Sequence, residues 1–451
     1  MLHDVAIVGA GLSGLVCARR LIDAGARAIV VEARPRVGGR LHTGRVGGAE
    51  VDLGGQWLSV DQPRLLALAG ALGVASSPQP RAGRAALDDG RGLGLFGQLR
   101  AMIAQRRAMR RIDRLARAIP AGAPGEAADA AALDAIAVGP WLAGAVADPA
   151  ARERIALHAE LVFAVDLAGL SLLDYLARLG ATGGFAPRGP DLPGGGRDHR
   201  FVGGAQRLAL ALADGLGAAV RLGEPVQAIE TAGAGGALTV RGSAGSHAAR
   251  RVVLALPPPL AIRIAPDLPA PLHRLAAAIQ RGAVVKCFAA YDRAFWRDAG
   301  LSGEAYRPRG TVRAVVDASP PDGAAAVLLA FVLGAAAEAW QRRDPADRRG
   351  EVLAALGELF GDAALTPRDY LEADWAADPW SAGCVASTPP GALAAGAVWR
   401  GAHGRIHLAG TEAAVRWPGY MEGAIEAGER AAADALAALA LGARCHVKPT
   451  S

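Results

Sequence analysis

Val5-Ala6-Ile7-Val8-Gly9-Ala10-Gly11-Leu12-Ser13-Gly14, followed at one helix length by Ala28-Ile29-Val30-Val31-Glu32, is the stretch that decides the fold. Residues 5–8 form an apolar run of strand length. Leu15, Val16, Ala18, Leu21 and Ile22 then recur at helical spacing up to Gly25, and Ala28–Val31 is a second apolar run. Strand, glycine turn, helix and strand in that order predict a βαβ unit and a doubly wound, Rossmann-like parallel sheet, hence an α/β fold. The glycines sit directly between strand and helix, where a G-x-G-x-x-G spacing has mechanical meaning. Gly9 and Gly11 let the backbone turn tightly and approach a pyrophosphate, whose charge the helix N-terminus meets. Gly14 lets helix and strand pack closely. Glu32 closes the second strand, where a carboxylate accepts from both ribose hydroxyls of an adenosine; an NADP site would favour a cation there instead.

Working outward, 451 residues and a hydrophobic content of 52% allow two interleaved domains with a sizeable core. No run of 18 apolar residues occurs and no basic segment precedes the first strand, so a soluble, unprocessed, cytoplasmic protein without a transmembrane anchor is expected. Cys17, Cys287, Cys384 and Cys445 are scattered and lack C-x-x-C spacing, which suggests neither a disulfide framework nor a zinc site. His403 and His407 flank one strand but make no metal motif. The net charge of +6 is thin for this length and rests on dispersed arginines, so no nucleic-acid partner is expected. The densest basic run spans residues 100–117. There Arg106, Arg107, Arg110, Arg111 and Arg114 interleave with Met102, Ile103, Met109, Ile112 and Leu115, an amphipathic helix whose basic side is either simply solvated or a membrane-surface contact. Of 49 basic residues only Lys286 and Lys448 are lysine.

Residues 63–178 read as helices and loops. Strand-like runs return at 220–222, 226–229 and 252–256, the last stopped by three prolines, and again at 284–290 and 327–332; a helix follows at 351–360, a strand at 406–408 and a helix at 420–439. Cofactor-domain sequence therefore falls in three pieces, residues 1–75, 200–265 and 392–440. A substrate-binding domain of α+β character occupies 76–199 and 266–391, with a tail at 441–451.

Glu32-Ala33-Arg34 followed by Gly38-Gly39-Arg40 suits a longer cofactor than NAD, since a second glycine pair admits it and Arg34 and Arg40 supply charge near its phosphates and ring. On these residues the chain resembles the flavin-containing amine oxidase family, of the monoamine oxidase type, and the resemblance implies FAD. It extends over nearly the whole chain. Asp52-Leu53-Gly54-Gly55-Gln56-Trp57 resembles that family's loop beside the flavin, and Arg200-Phe201-Val202-Gly203-Gly204 the re-entry into the FAD domain. Glu224-Pro225-Val226 resembles the strand whose valine backbone meets the adenine, and Leu254-Ala255-Leu256-Pro257-Pro258 a later strand ended by proline. Leu408-Ala409-Gly410-Thr411-Glu412 and Trp417-Pro418-Gly419-Tyr420-Met421-Glu422-Gly423-Ala424 are the most specific matches. Read unaided, this last block is a strand ending at a ligand-permitting Gly410, a Glu412 that can bond cofactor hydroxyls, and a helix opening at Gly419 to Met421 whose amides stabilise negative charge.

Lys286 interrupts an otherwise apolar strand, and a buried ammonium requires a reason. The resemblance implies that it reaches the flavin N5 through a water and assists reoxidation. It likewise implies that Tyr420 is one of two rings holding the amine in front of the flavin, where a π face favours the nitrogen. The partner ring should follow Cys384, but that position is Val385; Trp380 or Trp57 either reshapes the pocket or, the more ordinary reading, belongs to the core. Trp375, the run 381–384 and the later Pro389-Pro390-Gly391 repeat the order of the segment whose cysteine forms a thioether to the flavin 8α-methyl, which implies a covalent bond at Cys384. The reading is an amine oxidase that takes a small amine and dioxygen and releases an imine, then an aldehyde or ketone, and hydrogen peroxide. Its alternatives are an amino-acid oxidase, a flavin amine dehydrogenase with another acceptor, or a catalytically silent FAD-binding partner. A homodimer is compatible with it.

Overall fold

The computed structural model describes residues 1–87, 93–185, 198–231, 236–381, 383–393, 396 and 398–445. Strand β1 (Leu2–Val8) lies at the centre of an eight-stranded sheet, parallel to β2 (Ala28–Val31) on one side and to Ser246–Leu254 on the other. Val220–Arg221 and Ile406–Leu408 add further parallel pairs, while Leu238–Gly242, Val226–Thr231 and Gly401–His403 extend the sheet antiparallel. The alternating pleat sends Val5 and Ile7 to one face and Ala6 and Val8 to the other. Both faces are covered, which is why these strands read as continuous apolar runs. Helix α1 (Leu12–Asp23) packs on the first face through Leu15 and Leu21, joined by Leu208, Leu212 and Ile425 from later helices. The opposite face buries Ile29 and Val31 against Leu272, Leu275 and Trp399.

A second sheet has six strands in the order Asp369–Asp374, Val284–Tyr291, Ala326–Leu333, Val312–Asp317, Leu301–Tyr306 and Arg84–Leu87. Every residue of Val284–Tyr291 is buried. Val285, Cys287 and Ala289 face a core with Trp296, Trp340 and Leu356, so period two turns Val284, Lys286 and Phe288 the other way, towards the space between the sheets. A helical layer of Leu95–Arg117, Val138–Ala145, Pro149–Phe163 and Leu172–Ala181 closes that space around Ile112, Leu142, Ile155, Phe163 and Leu176.

Several boundaries differ from the sequence reading. Leu268, Leu272, Leu275 and Ala276 lie past the expected domain edge at 265, yet they pack under the first sheet. Arg84–Leu87, inside a stretch read as helix and loop, joins the second sheet. Leu301–Tyr306, Val312–Asp317 and Asp369–Asp374 were invisible as strands because glycine and charged residues interrupt their apolar alternation. The last helix, Met421–Cys445, passes the expected start of the tail at 441. Residues 186–197 and 446–451 lie outside the described residues.

Candidate active site

The parallel strands of the first sheet all end on one edge, and their carboxyl ends carry Gly9, Glu32, Ala255 and Gly410 to the wall of a cavity of about 770 Å³. Such an edge is where doubly wound sheets hold ligands. Helix α1 begins there with Gly11 at its N-cap and no side chain capping it, so its first amides face the cavity as an anion cradle. A Cβ on Gly14 would lie 2.0 Å from the Gly9 carbonyl, so only glycine permits this crossing of helix and strand. The Ser13 hydroxyl accepts from the Gly410 N–H at 3.0 Å and joins two walls that are 397 residues apart. Glu32 is buried, and its carboxylate receives the Ala10 N–H at 2.7 Å and the Arg34 N–H at 2.9 Å. Arg34 donates to Asp378 and Ser381 and retains a buried Nε without a partner. An uncapped helix start, a carboxylate at the second strand's end and an unused guanidinium donor fit the diphosphate and ribose of a dinucleotide.

At the other end of the cavity, Lys286 is 4% exposed and its ammonium donates to the Asp52 carbonyl at 2.7 Å, the Gly54 carbonyl at 2.8 Å and Gln56 Oε1. All three acceptors belong to the loop that also presents Gly55 and Trp57, so the lysine pins that loop to the second sheet. Burial pulls the Lys286 ammonium well below the usual lysine range, against the pull of Asp52. Burial pushes the Asp52 carboxyl up, opposed by Lys286 and by hydrogen bonds from the Ala205 N–H and the Thr43 hydroxyl. Trp57 stacks on Phe331 with centroids 5.9 Å apart and donates to Gln79.

Arg40 donates to the Cys384 carbonyl at 2.7 Å and pairs with Glu412 at 2.8 Å. Glu412, expected to bond the cofactor, is not on the cavity wall and pairs with Arg40, which is. Cys384 is on the wall, and burial raises its thiol above the ordinary range, with Arg40 and Lys286 pulling down. Tyr420 ends a turn in which Trp417 has φ +54°, and its ring meets Trp417 edge-on at 5.1 Å. Thr411 Oγ1 accepts from the Gly419 N–H and donates to the Tyr420 carbonyl.

Of the residues singled out from sequence, Gly9, Gly11, Ser13, Glu32, Ala33, Arg34, Gly39, Arg40, Gly55, Gln56, Trp57, Val226, Lys286, Cys384, Val385, Gly410, Thr411, Gly419, Tyr420 and Met421 all line this cavity. Gly14 stands behind it. Trp380 is on the wall as well, beside Pro379 and Ser381. Sequence reasoning missed Leu161, Val162 and Ala164, Phe331 and Leu333, and above all Arg178. Arg178 donates from Nη1 to the Pro418 carbonyl at 2.6 Å and from Nη2 to the Ala386 carbonyl at 2.8 Å, tying the Tyr420 turn to the strand after Val385. Its only sequence signal, a cation in the last turn of a helix, is common to many solvated helix ends.

The model of the flavin-containing amine oxidoreductases matches residues 12–436, which takes in both ends of this cavity. The chain belongs to that family. A Mycobacterium tuberculosis chain named as flavin-containing monoamine oxidase AofH is 36% identical over 446 residues, covering 97% of both chains. Amine oxidase B of Sus scrofa is 32% identical over 97% of this chain and 86% of its own. Among solved structures, putrescine oxidase bound to putrescine superposes with a TM-score of 0.90 at 32% identity over 97% and 99% of the two chains. Cyclohexylamine oxidase from Brevibacterium oxydans IH-35A does so with 0.89 at 30% over 98% and 100%. As a member of this family the chain is a flavin-dependent oxidoreductase acting on amines, with FAD as its cofactor, and no described helix is long and apolar enough to cross a membrane.

Proposed function

We propose that this protein oxidises small, largely apolar amines, passes the electrons to dioxygen and works in the cytoplasm. The observation that carries the reading is the wall around Tyr420. Leu161, Val162, Ala164, Val284, Leu333 and Val385 make it apolar, and among the described wall residues Glu32, at the far adenosine end, is the only carboxylate. A site of this kind desolvates a neutral amine and offers no partner to a second ammonium. FAD held here would supply the two-electron chemistry, accepting hydride from the carbon that bears nitrogen and passing the electrons to dioxygen as hydrogen peroxide, while water hydrolyses the imine product.

The chain's own residues hold and orient. The α1 N-terminus, Glu32 and Arg34 would hold the diphosphate and adenosine end, and the 54–57 loop with Gly410 and Met421 the ring end. Lys286 keeps a proton-bearing ammonium beside the 54–57 loop, in reach of the reoxidation step. Tyr420 presents one π face to the nitrogen, and the smaller Val385 opposite it leaves room for a branched or cyclic substituent. A thioether from Cys384 to the cofactor is part of this reading, supported by its place on the wall beside Arg40.

The amino-acid oxidase alternative has a cavity arginine in Arg178, but both terminal nitrogens of that residue already donate to main-chain carbonyls. The test is an anaerobic titration of the yellow holoenzyme with cyclic monoamines, arylalkyl amines, diamines and amino acids, followed by a peroxide assay in air. Bleaching by monoamines with peroxide release is expected; bleaching by diamines or amino acids alone would overturn the reading. Acid precipitation tests the thioether, since yellow colour left in the supernatant would refute it.

A further inference from the structure

The helix Leu95–Arg117 presents a solvent face that changes character along its length. Leu95 and Phe96 are 82% and 87% exposed, and Leu99 and Ile103 are 48% and 44% exposed. Arg106, Arg107, Arg110, Arg114 and Arg117 continue the same face towards the C-terminus, all exposed. At about 100° per residue, these nine side chains fall within an arc of roughly 120°. The fold does not need this face. The helix is already docked through Ala101, Ala108, Met109, Ile112 and Ala116 against Pro149–Phe163 and Leu172–Ala181. Among the described residues, no ion pair or hydrogen bond engages the five arginines, whereas Arg100 pairs with Asp148. The helix's one acid, Asp113, is buried and accepts the Phe185 N–H.

We propose that this face docks the protein onto an anionic phospholipid surface. Apolar side chains at one end suit the boundary between headgroups and acyl chains, and a row of guanidinium groups beside them suits lipid phosphates, which they contact with paired N–H donors. A second copy of the chain is a poorer occupant, because a self-complementary pairing would bring unneutralised arginine rows into one interface. A nucleic acid would meet the arginines and leave Leu95, Phe96, Leu99 and Ile103 in water. The contact is peripheral and reversible.

The test is sedimentation of the FAD-loaded full chain with vesicles of phosphatidylcholine alone and of phosphatidylcholine mixed with phosphatidylserine, at low and high salt. Binding is expected only to the mixed vesicles, weakening steeply with salt. R107Q and R110Q should each lower it about fivefold. F96S/L99S should weaken it at every salt concentration, and F96W should show blue-shifted emission on the mixed vesicles. Amine turnover in these variants verifies folding. Equal binding to both vesicle types, no binding to either, or full binding by F96S/L99S would overturn the proposal. So would a dimer that F96S/L99S dissociates, or binding to duplex DNA as tight as to the mixed vesicles.

Discussion

Gly419→Ala is the substitution whose cost the structure specifies most closely. Gly419 has φ +88°, a region that costs an L-residue about 1–2 kcal/mol. The new methyl would stand 2.6 Å from Arg178 Nη1, so the guanidinium has to leave. With it goes the 2.6 Å bond to the Pro418 carbonyl and the register of the 2.8 Å bond to Ala386. Those charge-assisted bonds, partly exposed, contribute about 2 kcal/mol together. The single variant should therefore lose about 3–4 kcal/mol. Arg178→Met should lose about 2 kcal/mol, because it removes the same two bonds without backbone strain. The double variant pays for those bonds only once and should also lose about 3–4 kcal/mol, about 2 kcal/mol short of the sum. Urea unfolding of all four proteins at saturating FAD, read by tryptophan fluorescence, measures this. The turn also carries Tyr420, so the rate constant for anaerobic flavin reduction by an amine should fall about tenfold in each single variant, with flavin content unchanged. Strict additivity of the two substitutions, to within about 0.5 kcal/mol, would refute the contact between Arg178 and the Tyr420 turn.

Lys286→Met removes the proton-bearing group beside the 54–57 loop, and reoxidation by dioxygen should slow about 100-fold while anaerobic reduction by amine changes little; stopped-flow traces of the two half-reactions separate them, and an equal fall in both would contradict the assigned role. His407 is buried with neither ring nitrogen hydrogen-bonded, and burial, Arg251 and His403 lower its pKa from 6.5 to about 4. It is neutral when folded and takes a proton on unfolding below pH 6.5, so the stability present above that pH drains away towards pH 4, by up to about 3 kcal/mol. His407→Leu should flatten that part of the stability profile, and an unchanged profile in urea titrations across that range would show that another group is responsible. Cys384→Ala should leave FAD fully released by acid and the amine reaction present, whereas the parent protein keeps colour in its precipitate; the same colour retained by the variant would place the bond elsewhere.

The part of the site nearest the N-terminus was legible because its meaning is local. Within 40 residues, hydrophobic spacing, Gly14 and Glu32 describe a strand, a crossing and a carboxylate at the end of the second strand without help from the rest of the chain. Lys286 was legible through its company, a single lysine in an apolar strand, and period two alone places it opposite Cys287. Glu412 shows the limit of such reading. Its place after a strand suggests a cofactor ligand, but nothing there announces its pairing with Arg40, distant by 372 residues in sequence. Arg178, Phe331 and Leu333 carried no signal because nothing in their neighbourhoods distinguishes a cavity wall from a helix end or a sheet core.

By itself, then, the sequence determined the doubly wound sheet and the dinucleotide end of the cavity, since each depends on residues close enough along the chain to impose their own geometry, and motifs spread along its length determined the membership of a flavin family. Only the tertiary structure decided the amine end. The apolar wall, without a carboxylate among its described residues, and the tie from Arg178 to the Tyr420 turn arise where two sheets and a helical layer meet, and contacts between segments hundreds of residues apart leave no periodicity to read.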